Sequence, residues 1–89
     1  MTEVQTFDEA VSRVRDLTQK PSDDELLELY GLFKQATEGD NTADRPGITN
    51  LKGRYKWDSW TAKKGLSKED AQNEYVAKVK QLMTKYEHS

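Results

Sequence analysis

Ser22-Asp23-Asp24-Glu25-Leu26-Leu27-Glu28-Leu29-Tyr30-Gly31-Leu32-Phe33-Lys34-Gln35-Ala36-Thr37-Glu38-Gly39-Asp40-Asn41 spells out a helix from start signal to stop signal. Ser22 and Glu25 stand three apart, so the hydroxyl and the carboxylate can each satisfy an amide that a helix start leaves free. Leu26, Leu29, Tyr30, Phe33 and Ala36 then recur at helical spacing, with Leu27 beside them. Gly39-Asp40-Asn41 closes the run.

The same punctuation extends in both directions. Upstream, Thr6-Phe7-Asp8-Glu9 forms a second capping box, followed by Phe7, Ala10, Val11, Val14 and Leu17, and Pro21 forbids continuation. Downstream, residues 39–50 have no apolar period and contain the turn Arg45-Pro46-Gly47. Asn50 is placed to cap a third helix over roughly 51–64, closed by Gly65. Ser67-Lys68-Glu69-Asp70 opens a fourth, with Ala71, Tyr75, Val79, Leu82, Met83 and Tyr86 as its apolar positions. Alternation is absent and β-branched residues are scattered, so no strand is expected. Helices of these lengths are marginal alone and must pack on one another, which predicts an all-α, four-helix bundle. One connection is long, so simple up-down-up-down order is not dictated.

Eighty-nine residues, 34% of them hydrophobic, allow one domain (1–89) with a modest core. Without cysteine there are no disulfides and no thiolate metal sites. No run approaches the roughly 20 apolar residues of a membrane span. Met1-Thr2-Glu3-Val4 lacks the regions of a signal peptide and a glycine for myristoylation, and Tyr86-Glu87-His88-Ser89 lacks a lipidation box. The expectation is a soluble cytoplasmic protein.

The net charge of −2 conceals an uneven distribution. Residues 1–31 hold eight acids and three bases, whereas 49–66 set Lys52, Arg54, Lys56, Lys63 and Lys64 against Asp58 alone. A basic segment on an otherwise acidic chain suits a small anion better than a long nucleic acid, which the acidic part would repel.

Little in the chain suggests catalysis. His88 is the sole histidine and stands next to last, where a base or metal ligand is poorly held. Asp23, Asp24, Glu25 and Glu28 suit the positive end of a helix. Phosphate loops, zinc-binding motifs and nucleophile motifs are missing. We expect no enzyme, no metal and no cofactor.

Binding chemistry is better represented. Tyr30 and Lys34 share a helix face, with Phe33 beside Lys34, and Lys52 and Lys56 are likewise four apart. Ammonium and phenol groups converging on a phosphate would hold it, while Phe33 and Tyr75 could offer an aromatic face to a purine. Each feature also has a plain reading: lysines at this spacing form a solvated face, and tyrosines on an apolar stripe are core. Trp57 and Trp60 read as anchors seating the third helix on the bundle.

Together these residues resemble the acyl-CoA-binding protein family. The resemblance is carried by Tyr30-Gly31-Leu32-Phe33-Lys34-Gln35-Ala36-Thr37 with Gly39-Asp40, then Arg45-Pro46-Gly47. It continues through Lys52-Gly53-Arg54-Tyr55-Lys56-Trp57-Asp58-Ser59-Trp60, then Gly65-Leu66-Ser67-Lys68-Glu69-Asp70-Ala71 and Tyr75. It implies an up-down-down-up bundle with a long crossover loop between helices two and three, and a monomeric carrier of long-chain fatty acyl-CoA thioesters. It further implies that Tyr30, Lys34 and Lys56 hold the ribose 3′-phosphate, that Tyr75 packs by the adenine, and that Arg15, Lys20 and Lys52 belong to the same rim. Leu26 and Leu27 would face the acyl chain, and acyl-CoA-using enzymes would be the partners, without nucleic acid or membrane insertion. Three positions depart from the commonest pattern: Phe33 replaces a tyrosine, Arg15 a lysine, and Glu38 a small or apolar residue. The carboxylate at Glu38 is expected to weaken attraction to the anionic head. The competing readings are a helical protein-interaction module and a nucleic-acid-binding one.

Overall fold

The computed structural model describes residues 6–16 and 20–86. Leu17 and His88, considered above, lie outside the described residues. Four α-helices and no strand occur among those described: α1 (Phe7–Arg13), α2 (Asp23–Glu38), α3 (Leu51–Thr61) and α4 (Lys68–Lys85). None is long and apolar enough to cross a membrane.

The caps form as the sequence predicts. Glu9 N–H donates to Thr6 Oγ1 (3.1 Å) and Thr6 N–H to Glu9 Oε1 (3.2 Å). At α2, Glu25 N–H donates to Ser22 Oγ (3.2 Å) and Ser22 N–H to Glu25 Oε1 (2.8 Å). Asn50 and Ser67 each accept at 3.0 Å from an amide three residues on, Gly53 and Asp70. Gly39 ends α2 with φ 85° and ψ −153°, a conformation reserved for a residue without Cβ.

Two boundaries differ from expectation. The first helix tightens into a 3₁₀ turn at Val14–Asp16. Such 3₁₀ turns are frequent next to α-helix termini. The third helix ends at Thr61, not near residue 64, and single turns carry the chain to Gly65. There Lys63 N–H donates to Trp60 O, Lys64 N–H to Thr61 O (both 3.0 Å) and Leu66 N–H to Lys63 O (3.1 Å).

The helices form an up-down-down-up bundle. Phe7, opening α1, stacks with Phe33 late in α2, so α1 and α2 run oppositely. Gln72 near the start of α4 donates to Ala36 O (3.3 Å), and Lys85 at its end reaches Glu25 (2.8 Å), so α4 reverses α2. Tyr30 lies under Lys56 and Trp60 under Lys34, so α3 runs in the sense of α2. Two successive helices of one sense require a connection that returns the full length, and residues 39–50 supply it.

The core lies between α1, α2 and α4. Ala10, Leu29, Leu32, Tyr75, Val79, Leu82 and Met83 form it, with Phe7, Val11, Val14, Phe33, Leu66, Val76 and Tyr86 packed around. Burying an aliphatic side chain of this size contributes about 1.5–3 kcal/mol. By contrast, α3 contributes no buried residue. Trp57 and Trp60 are only half-buried, and their indole N–H groups donate to Ala43 O and Gly39 O, both at 2.8 Å. They tie α3 to the crossover loop, rather than plugging the core as anchors would.

What brings α3 close is a missing side chain. A Cβ on Gly31 would stand 2.4 Å from the backbone oxygen of Ser59. In addition, the side chain of Gln35, fully buried, donates to Asp40 Oδ1 (2.7 Å) and to Leu66 O (2.8 Å). Asp40 Oδ1 also accepts from Gly65 N–H (3.0 Å), and these two donors, Gly65 foremost, hold its carboxyl below the usual range. Arg45 grips Asp58 with two hydrogen bonds (3.1 and 2.9 Å), fixing the crossover to α3.

Two expectations follow. Gly31→Ala should lower the melting temperature. The crowded methyl group costs about 1–3 kcal/mol and outweighs the roughly 1 kcal/mol that alanine gains over glycine in a helix. A raised melting temperature would refute the close approach. The second concerns Glu25, whose carboxyl is held at about 2, against an ordinary 4.5, chiefly by Lys85, then by the Tyr86 hydroxyl (2.5 Å) and Ser22. A depressed carboxylate stabilises the fold above its unfolded value and loses that contribution as the pH falls. Melting curves should therefore decline between pH 4.5 and about 2, and Glu25→Gln should flatten the decline.

Candidate functional site

A half-open cavity of about 370 Å³ lies where the start of α2 faces the start of α3. Its lining divides by chemistry. Leu26, Leu27, Tyr30 and Tyr55 supply apolar surface, while Lys20, Lys52 and Lys56 bring three ammonium groups and Asp23 one carboxylate. Helical spacing explains the grouping. Asp23, Leu26, Leu27 and Tyr30 follow at intervals of three, one and three residues, and Lys52, Tyr55 and Lys56 at three and one, so each set shares a face. Lys20 arrives from the segment just before α2.

Beyond the cavity, the α2–α3 seam carries two cation–π contacts. Lys56 Nζ lies 5.4 Å from the centre of the Tyr30 ring, and Lys34 Nζ lies 4.8 Å from that of Trp60. Tyr30 and Lys34 are one helical turn apart, as are Lys56 and Trp60, so the contacts are successive rungs of one seam. Both are within the range at which a ring face attracts an ammonium. Lys34 does not line the cavity itself, and its ammonium group also pairs with Glu38.

The anticipated residues thus fall into two groups. Lys20, Leu26, Leu27, Tyr30, Lys52 and Lys56 meet at the cavity, with Lys34 one turn along. Phe33 and Tyr75 belong instead to a ring cluster with Phe7: Phe7 and Tyr75 are 5.1 Å apart edge to face, and Phe33 and Tyr75 are 6.3 Å apart. Tyr75 is only 4% exposed. Its ring is therefore no open platform, because α1 docks Phe7 against it. Burial pushes the Tyr75 phenol up from its ordinary value, and the positive charge of Arg15 works against that rise. Arg15 itself is exposed.

Sequence reading missed two lining residues. Asp23 suits the helix dipole, and its position three residues before Leu26 also puts it on the cavity face. Tyr55 was legible as the partner of Lys52 and Lys56, and it is 57% exposed, an aromatic held at the cavity rather than in the core.

Among the described residues, no group of three or more His, Cys, Asp or Glu side chains could hold a metal ion. The arrangement offers fixed positive charge beside an apolar slot: it can bind an amphiphilic anion.

Known proteins are similar to this chain. A family profile described as "Acyl CoA binding protein" matches residues 4–79. The chain is 57% identical over 81 residues to acyl-CoA-binding protein homolog 1 of Caenorhabditis elegans, covering 91% of this chain and 94% of that one. The crystal structure of Oryza sativa acyl-CoA-binding protein 2 superposes with a TM-score of 0.85 at 51% identity, over 89% of this chain and 86% of that one. The solution structure of acyl coenzyme A binding protein from yeast gives a TM-score of 0.70 at 57% identity, over 90% of this chain and 93% of that one. With the profile spanning most of its length, and close relatives sharing both sequence and helical architecture, the chain belongs to the acyl-CoA-binding protein family.

Proposed function

We propose that this protein binds long-chain fatty acyl-CoA thioesters and carries them as a soluble pool. The observation that carries the reading is the cavity on the α2–α3 seam, whose lining sets Leu26, Leu27, Tyr30 and Tyr55 beside three lysines. In this reading the Tyr30 hydroxyl and the ammonium groups of Lys34 and Lys56 hold the ribose 3′-phosphate of CoA. Lys20 and Lys52, which line the same cavity, and Arg15 add positive charge to its rim. Leu26 and Leu27 shelter the acyl chain, and Tyr55 extends that wall. Phe33 and Tyr75 offer the adenine the border of a ring cluster, since the cluster itself is closed.

The physical division of labour follows from the two halves of the ligand. Charge sets where the head lies, because Lys34 and Lys56 are already positioned by Trp60 and Tyr30 and lose little freedom on binding. The tail supplies affinity as it leaves water, at up to about 0.8 kcal/mol per methylene. A half-open slot captures part of that, so affinity should climb with chain length and level off once the slot is filled. The protein acts as a single-domain, monomeric carrier in the cytoplasm, not as an enzyme, and presents its ligand to acyl-CoA-using enzymes.

Titration calorimetry with palmitoyl-CoA tests the assignment. Lys34→Ala and Lys56→Ala should each weaken binding about ten- to a hundredfold, the worth of a hydrogen bond to a charged group, with the melting temperature nearly unchanged. Free CoA and free palmitate should bind far more weakly than the thioester. Full affinity in both variants would remove the phosphate site from these residues.

A further inference from the structure

Lys34 already has an anion. Its ammonium group pairs with the carboxylate of Glu38, one helical turn further along α2, and also lies 4.8 Å from the centre of the Trp60 ring. The two partners are unequally fixed. The lysine side chain is 22% exposed and held between ring and carboxylate, whereas Glu38 is 54% exposed. Glu38 can therefore turn into water without disturbing the fold, since an exposed pair at this spacing contributes only weakly to the helix. The lysine would stay against Trp60.

We infer that Glu38 is a displaceable internal counter-ion, which an incoming phosphate must expel from Lys34 before it can bind. The inference rests on the proposed placement of the 3′-phosphate at Lys34 and Lys56. A phosphate and a carboxylate on one ammonium group would lie within several ångströms of each other. Repulsion between like charges at such a separation, in a partly wetted site, is enough to change a dissociation constant about three- to tenfold. Binding is thus an exchange: Lys34 gives up its own carboxylate and takes the phosphate of the ligand. Glu38 lowers affinity for a phosphorylated head group and hastens its release, and a ligand without that phosphate leaves the pair undisturbed. A carrier that must hand over its cargo gains from such a built-in competitor.

The test is calorimetry with two ligands, palmitoyl-CoA and its 3′-dephospho form, on four proteins: the unaltered chain, Glu38→Gln, Lys34→Ala and the double variant. Glu38→Gln should tighten palmitoyl-CoA about three- to tenfold, with the dephospho ligand unchanged, and the gain should vanish when Lys34 is also alanine. No gain in Glu38→Gln, an equal gain for both ligands, or a gain that persists without Lys34 would each overturn the role of Glu38. The single lysine variant separates this from the underlying reading. If Lys34→Ala weakens palmitoyl-CoA but Glu38→Gln does nothing, only the counter-ion role fails. If Lys34→Ala leaves both ligands unaffected, the phosphate placement falls and takes this inference with it.

Discussion

The contact between Gly31 and the backbone of Ser59 governs the distance between α2 and α3, and everything proposed for the site hangs on that distance. A Cβ at this point would meet a carbonyl oxygen at 2.4 Å, so no other residue type fits without displacing α3. With the two backbones this close, the side chains on either side of the crossing pair across the seam. Lys56 reaches Tyr30 and Lys34 reaches Trp60. The cavity lies between the starts of the two helices.

Polar contacts then hold α3 in that place. Gln35 is fully buried, and its amide bridges Asp40 in the crossover to Leu66 in the link to α4. Trp57, Trp60 and Arg45 bind the crossover to the body of α3. Such groups are directional: they hold register where a greasy contact would allow sliding. The division is physically economical. The α1–α2–α4 core supplies the stability, and the α2–α3 seam, lightly buried, is left free to present charge.

Local chemistry was the legible part of the fold. Both capping boxes, the Asn50 and Ser67 caps, the break at Gly39 and the buried stripe of α4 are short-range signals, and all appear in the structure. The order of the helices was not legible from periodicity, because spacing says which face is apolar and not which neighbour covers it. It came from the family resemblance alone. The burial of Leu32 and Gln35 escaped notice for a related reason. They lie outside the simple apolar stripe of α2, on a face that is covered only because α2 is packed by neighbours on more than one side.

The site was legible in its residue types and less so in its grouping. Lysine spacing brought Lys52 and Lys56 to one face, and the cavity collects them with Lys20, Tyr30, Leu26 and Leu27. Tyr75 shows the limit of that reasoning. An aromatic on an apolar stripe could serve as either a platform or a plug, and what closes over the Tyr75 ring is Phe7, sixty-eight residues earlier in the chain. Long-range contacts of this kind have no local signature.

That α3 contributes no fully buried side chain has a consequence for how the molecule breathes. Cooperative opening begins where the least apolar surface must be exposed, so the amides of α3 should exchange with solvent before those of α2 and α4. One wall of the cavity can then loosen while the other three helices remain folded. The apolar tail of the ligand proposed for this cavity could then enter or leave sideways through such an opening, without threading lengthwise and without global unfolding.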